Sequence, residues 1–262
     1  MKNHLLSGVS VVALVLASPA IAASPPIYSW TGFYVGANAG YSWGNVDTNL
    51  NDRGLANGFG LATGFTNTLP GSFPVSLRPE GFIGGAQAGY NWQVNPSWLW
   101  GIEADLQGSA EKDHANRGFS YGCDVEGLTC NLAQTRDAKI EWFGTVRGRI
   151  GWLSTPTNLL YLTGGLAYGR VSASGTVTDD IRNTGASFIF GDARLKAGFA
   201  VGGGFEAAFA NSTRWTLKLE YLYINLGSIG GSGIEPISGS VYSWDAKFVD
   251  HIIRVGVNYR LP

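Results

Sequence analysis

Residues 98–109, "WLWGIEADLQGS", constrain this chain more than any other stretch. Trp98, Trp100, Ile102, Ala104 and Leu106 fall on even positions; Gly101, Glu103, Asp105, Gln107 and Ser109 fall on odd ones. Successive side chains of a strand point to opposite faces, so one face here is apolar and the other is charged, polar or small. The pattern recurs in residues 139–152, where Ile140, Trp142, Val146, Ile150 and Trp152 oppose Glu141, Thr145, Arg147 and Arg149. It recurs again in residues 214–224, where Trp215, Leu217, Leu219, Tyr221 and Tyr223 oppose Thr216, Lys218 and Glu220. Residues 33–43, 82–92, 159–170, 196–208 and 249–261 repeat it with weaker contrast.

The sequence therefore predicts eight strands of about ten to fourteen residues each. Strands of soluble proteins usually run about five or six residues, whereas a tilted strand needs about 9–11 to cross a bilayer. The composition suits strands: 38 glycines, 13% aromatic residues and only 14% charged residues. The connections alternate in length. "VNPS" at 94–97, "STPTN" at 154–158 and "ANST" at 210–213 are turn-forming, while 44–80, 110–138, 172–194 and 227–247 are long and rich in Gly, Asn, Ser and Asp. The expected fold is all-β: an eight-stranded antiparallel transmembrane β-barrel with short periplasmic turns and long extracellular loops.

Alternation alone does not say which face meets solvent. The aromatic residues help. Tyr90, Trp92, Trp98, Trp100, Trp152, Trp215 and Tyr259 sit beside short turns or a terminus; Tyr41, Trp43, Tyr168, Tyr221 and Tyr223 sit near the long connections. That sorting predicts two membrane-interface girdles. The polar face must then point inward, pooling Glu103, Asp105, Glu141, Glu206 and Glu220 with Arg147, Arg149, Lys218 and Arg254. An interior network of ion pairs is expected. Eight strands leave room for little more than side chains, which favours structural filling over a pore.

The N-terminus has a short basic start with Lys2 and His4, then "LLSGVSVVALVLASPAIA" ending in a small-residue site. It reads as a signal peptide over residues 1–22, leaving 23–262 as the barrel domain. In an oxidising compartment Cys123 and Cys130 are expected to form a disulfide. A net charge of −1 gives no field for nucleic acid. His114 and His251 stand apart from any triad or metal-binding pattern, so no catalytic residue, metal or cofactor is expected.

The segment "WTGFYVGANAGYSWG" at 30–44 resembles the start of small alphaproteobacterial outer-membrane barrels of the porin-like, OmpA-type and opacity-type group. "GFIGGAQAGYNWQ" at 81–93, "WFGTVRGRIGW" at 142–152, "YLTGGLAYG" at 161–169 and "VGGGFEAAFANSTRWTLKLEYLYINLG" at 201–227 resemble later strands of that family, in order. The resemblance implies a C-terminal assembly signal read by the outer-membrane insertion machinery. Arg254, Gly256, Tyr259 and Leu261 fit its order, although the chain ends Leu261-Pro262 where relatives commonly carry Phe. Outer-membrane lipid and lipopolysaccharide are the expected surroundings, and the oligomeric state is left open. The expected role is structural support of the envelope with surface-displayed loops. The alternatives are a small low-conductance porin, or binding of a ligand or host factor through loop residues such as Phe59, Phe65, Phe73, Arg117, Phe119, Tyr121, Phe188, Phe190 and Tyr242. A soluble lipocalin-like barrel is the architectural runner-up.

Overall fold

A computed structural model describes residues 28–52, 72–122, 129–179, 187–210, 212–234 and 241–262. Its strands are β1 (Gly32–Asp52), β2 (Ser72–Leu77), β3 (Glu80–Gln93), β4 (Trp98–Ser109), β5 (Lys112–Gly122), β6 (Thr129–Thr155), β7 (Asn158–Asp179), β8 (Ser187–Ala208), β9 (Trp215–Ile234) and β10 (Val241–Arg260). All pairings are antiparallel. Strands β1, β10, β9, β8, β7, β6, β4 and β3 form a ring of eight, closed where β3 pairs back onto β1. The other two are continuations: β2 extends β3 along β1, and β5 extends β4 along β6. Arg78-Pro79 interrupts the first pair and Ala110-Glu111 the second. Proline has no N–H for the ladder, and the Pro79 carbonyl instead accepts from Gly44 N at 2.7 Å.

In the ring of eight strands, exposure is inverted relative to a water-soluble barrel. Phe82 is 76% exposed and Leu162 68%, while Glu103 is 2% exposed and Lys218 0%. Only an apolar solvent around the ring reconciles these values. Aromatic side chains mark its two borders on β6, at Trp142 and Trp152. Their separation along the strand is about 34 Å at 3.4 Å per residue. A tilt of about 40° leaves about 26 Å along the barrel axis, close to the roughly 25 Å apolar band of outer-membrane barrels.

The strands run well beyond that band. β6 has 27 residues and β7 and β8 have 22 each, so much of the expected loops 172–194 and 227–247 is ladder. The cause is visible on β10. Within the band its apolar residues are the outward Ile253 and Val255; above it they are the inward Phe248, Ala246, Trp244 and Tyr242. Alternation continues, but the apolar stripe changes face.

Above the band the ring divides. β8 pairs with β9 only over Phe199–Ala208, and Glu80↔Lys112 is the only pairing between β3 and β5 among the described residues. The division begins near Gly227, whose φ of 73° lies in the left-handed region and accompanies a register shift against β10. Two four-stranded sheets result, β2-β1-β10-β9 and β8-β7-β6-β5, lying face to face. Phe188 meets Tyr242 at 5.0 Å and Phe190 meets Trp244 at 5.1 Å. The Tyr242 hydroxyl donates to the Ile189 carbonyl at 2.9 Å. Val46, Leu50, Phe73 and Leu77 complete one side of this core, with Ile140, Val171 and Val177 on the other. The loop aromatics Phe73, Phe188, Phe190 and Tyr242 thus pack inward instead of displaying themselves. Phe59 and Phe65, and the side chains of Phe119 and Tyr121, lie outside the described residues.

Candidate functional site: the barrel interior

The interior is built in three levels. In the middle level, odd positions of β4 and β6 and even positions of β8, β9 and β10 point inward, bringing four acids and four bases together. Glu103 Oε1 accepts from Arg147 Nη2 at 2.7 Å and from Lys218 Nζ at 2.9 Å. Its other oxygen accepts from the Tyr34 hydroxyl at 2.8 Å. Asp105 Oδ2 accepts from Arg147 at 3.0 Å, Arg254 at 2.9 Å and Thr145 at 2.8 Å. Glu220 accepts from Tyr161 at 2.7 Å, Arg147 Nη1 at 3.2 Å and Arg254 Nε at 2.7 Å. Glu206 accepts from Arg149 at 3.1 Å and Asn258 at 2.8 Å, and from Thr216. Arg149 is flanked by the rings of Tyr34 at 4.8 Å and Tyr161 at 5.4 Å. Close approach needs glycine here: a Cβ on Gly89 would stand 2.3 Å from the Tyr34 hydroxyl.

Glu141 does not join this network. β6 carries a register shift between Ile140 and Trp142, which turns Ile140 inward and leaves Glu141 outside. There its partially exposed carboxylate meets Arg170 at 3.2 Å and Lys139 at 3.7 Å. Removing it from the inward pool leaves Glu103, Asp105, Glu206 and Glu220 balanced by Arg147, Arg149, Lys218 and Arg254.

The level below is a stopper that sequence periodicity does not reveal. Tyr28 and Trp30, in the segment preceding β1, turn into the mouth and pack on Leu99, Leu153 and Leu159. Trp30 Nε1 donates to the Pro156 carbonyl at 3.0 Å, and Tyr28 meets the Trp30 ring edge-on at 4.9 Å. Burial, and after it the Glu206 carboxylate, push the Tyr28 hydroxyl up to about 12. The level above is the apolar core between the two sheets. Where it meets the charged level, buried Ser42 donates to Asp250, and Ser109 donates to Glu111 at 2.8 Å.

The terminal residues occupy different places. Arg254 belongs to the network, Gly256 lies on the buried face of β10, Tyr259 packs on Trp215 at 4.8 Å, and Leu261 is exposed. Leu261 N donates to the Phe33 carbonyl at 2.8 Å, carrying the ladder past β10. The expected signal segment 1–22 and the expected Cys123–Cys130 bridge fall outside the described residues.

His114 and His251 both lie outside the barrel interior. His251 accepts or donates through Nδ1 with Tyr221 at 2.8 Å and stacks on Trp43. His114 Nδ1 lies 2.7 Å from Asp137 Oδ1. That hydrogen bond, with the carboxylate charge, raises the imidazole above its usual value of 6.5. A raised folded-state value means that the contact contributes fully below about 6.5 and is lost as pH rises through the folded value. We expect the His114 ring resonances to titrate above those of an unfolded control, with the shift abolished in Asp137→Asn; an NMR titration checks this.

A family model described as "Outer membrane protein beta-barrel domain" matches residues 9–260. The chain belongs to this outer-membrane β-barrel family. Its relatives include the 31 kDa outer-membrane immunogenic protein of Brucella melitensis biotype 1, 35% identical over 249 residues, spanning 94% of this chain and 91% of the relative. The 22 kDa outer membrane protein of Rhizobium leguminosarum bv. viciae is 30% identical over 203 residues, spanning 78% and 67% respectively. Among solved structures, the outer membrane protein OprG from Pseudomonas aeruginosa aligns over 90% of this chain and all of its own, with 10% identity and a TM-score of 0.46. The family model and the curated relatives place the barrel in the outer membrane, where barrels of this class turn their short turns to the periplasm and so set the two-sheet cap on the outer side.

Proposed function

We propose that this outer-membrane barrel is a closed, non-catalytic protein of the cell envelope that braces the membrane and carries a folded β cap above the outer leaflet. One observation carries this reading: the interior is filled at three successive levels, by the Tyr28–Trp30 stopper, the charge network and the mainly apolar core of the cap. Each carboxylate of the network is tied to a cation, so none is held ready as a free acid or base. The name of the Brucella relative, an immunogenic protein, accords with a cap displayed at the cell surface.

In this reading residues 1–22 direct export and 23–262 form the barrel domain. Arg254, Gly256, Tyr259 and Leu261 are recognised by the insertion machinery. A Cys123–Cys130 bridge staples the β5–β6 tip, stabilising it by roughly 2–3 kcal/mol. Lipid and lipopolysaccharide surround the aromatic belts. Planar-bilayer recording of the refolded protein tests the closed barrel. We expect no unitary steps from the wild type or from Arg147→Ala and Glu103→Ala. Steady steps whose amplitude shifts in these variants would show instead that the interior charges line a pore.

A further inference from the structure

Unlike the four bases of the membrane-level network, Arg136 has no ion-pair partner among the described residues. It lies on the inward face of β6 within the cap and is fully buried. Its Nη1 donates to the Thr135 carbonyl at 3.0 Å, but its Nε and Nη2 have no hydrogen-bond partner. No carboxylate compensates it among the described residues, and burial alone lowers its value to about 10. Two positions along the strand, Gln134 is 2% exposed and neither atom of its amide is partnered. Such groups are expensive to enclose; every cation of the membrane-level network has its acid.

The surroundings are aromatic. Arg136, Gly175 and Phe190 are aligned across β6, β7 and β8. Because Gly175 has no side chain, the guanidinium reaches over the Phe190 ring, 4.7 Å from its centroid. A Cβ there would stand 2.7 Å from Phe190 Cζ and 3.0 Å from Arg136 Cδ. Trp244 backs Phe190 from the facing sheet, and the Phe188–Tyr242 pair lies beside it, in line with Gln134 through Val177.

We propose that the cap binds a small monocarboxylate with a flat apolar body, its carboxylate taken by Arg136 and Gln134 and its body held among Phe188, Phe190, Tyr242 and Trp244 as the two sheets part. A guanidinium with two free N–H donors matches a carboxylate in plane, and an amide N–H supplies a further donor. The aromatic walls favour an apolar ring over a hydrated inorganic anion. The seams where β8 leaves β9 and β5 leaves β3 give the sheets a way to part without breaking the barrel. The site is independent of whether the barrel conducts.

Benzoate is the probe, titrated calorimetrically into the refolded full-length protein in a non-ionic detergent, with benzyl alcohol and sulfate as controls. We expect saturable benzoate binding, weakened about 10- to 100-fold in Arg136→Met and by a smaller factor in Gln134→Leu. Benzyl alcohol and sulfate should each bind at least about tenfold more weakly. Arg136→Met should unfold at the same or a higher temperature than wild type, because it replaces an uncompensated cation with an apolar chain. The proposal fails if benzoate shows no saturable binding, if Arg136→Met binds it unchanged, or if either control matches it. A clearly lower unfolding temperature in Arg136→Met would also overturn it, assigning the guanidinium to holding the cap together.

Discussion

Arg147→Ala is expected to destabilise the barrel by about 3–5 kcal/mol, the cost of stranding buried charge. Arg147 donates to Glu103, Asp105 and Glu220, so its loss leaves three enclosed carboxylates served mainly by Lys218 and Arg254, with Arg149 3.7 Å from Glu103. The measurement is urea unfolding in detergent micelles, followed by the heat-dependent shift in gel mobility. Glu141→Ala provides the contrast. Its carboxylate is on the outside, partly exposed and bonded to partly exposed bases, so a change within about 0.5 kcal/mol is expected. The two substitutions each touch the same strand, yet differ in which side of the wall they reach. Comparable losses in both would place Glu141 inside and refute the register shift in β6.

The second large effect is at the periplasmic mouth. Trp30→Ala is expected to cost about 3–5 kcal/mol, combining the lost burial of an indole with the cavity left behind. The Pro156 carbonyl also loses its donor. The loss should appear as faster exchange of the amides around Leu153 and Leu159, whose side chains pack on Trp30. Because the two upper levels stay filled, Trp30→Ala should remain electrically silent in a bilayer. A variant that conducts would show that the stopper alone seals the barrel.

The membrane-level half of the structure is legible in the sequence because the contrast between faces there is extreme. Trp100, Ile102 and Leu106 against Glu103, Asp105 and Gln107 leave one consistent register, and a slip of one residue would put carboxylates into lipid. The same logic fails at Glu141 because a bulge adds a residue without any local sequence mark; Lys139, Ile140, Glu141 and Trp142 alternate as well as any regular strand. The cap is harder to see for a related reason. Its inward face on β7 is Val171, Ala173, Gly175 and Val177, small residues opposite Ser172, Ser174 and Thr176, so polarity contrast is weak. Those stretches read as loops because glycine and serine are common in both. Tyr28 and Trp30 carry no periodic signal, since they act from a segment outside any strand and are placed by the mouth they enter. Arg136 is invisible for the opposite reason: one arginine in a polar-looking segment suggests solvent, yet the fold buries it against the Phe190 ring of its own sheet.

The change of face along β10 also acts as a depth gauge. Pushing the barrel inward would drag outward Lys247 and Asp245 toward hydrocarbon, at a cost that rises to about 2–4 kcal/mol for a basic residue at the midplane. Pulling it outward would lift Ile253 and Val255 into water and forfeit about 25 cal/mol for each Å² of apolar surface exposed. Both penalties are repeated around the circumference, so the height at which the cap stands above the cell is written into the wall itself and requires no anchor from a neighbour.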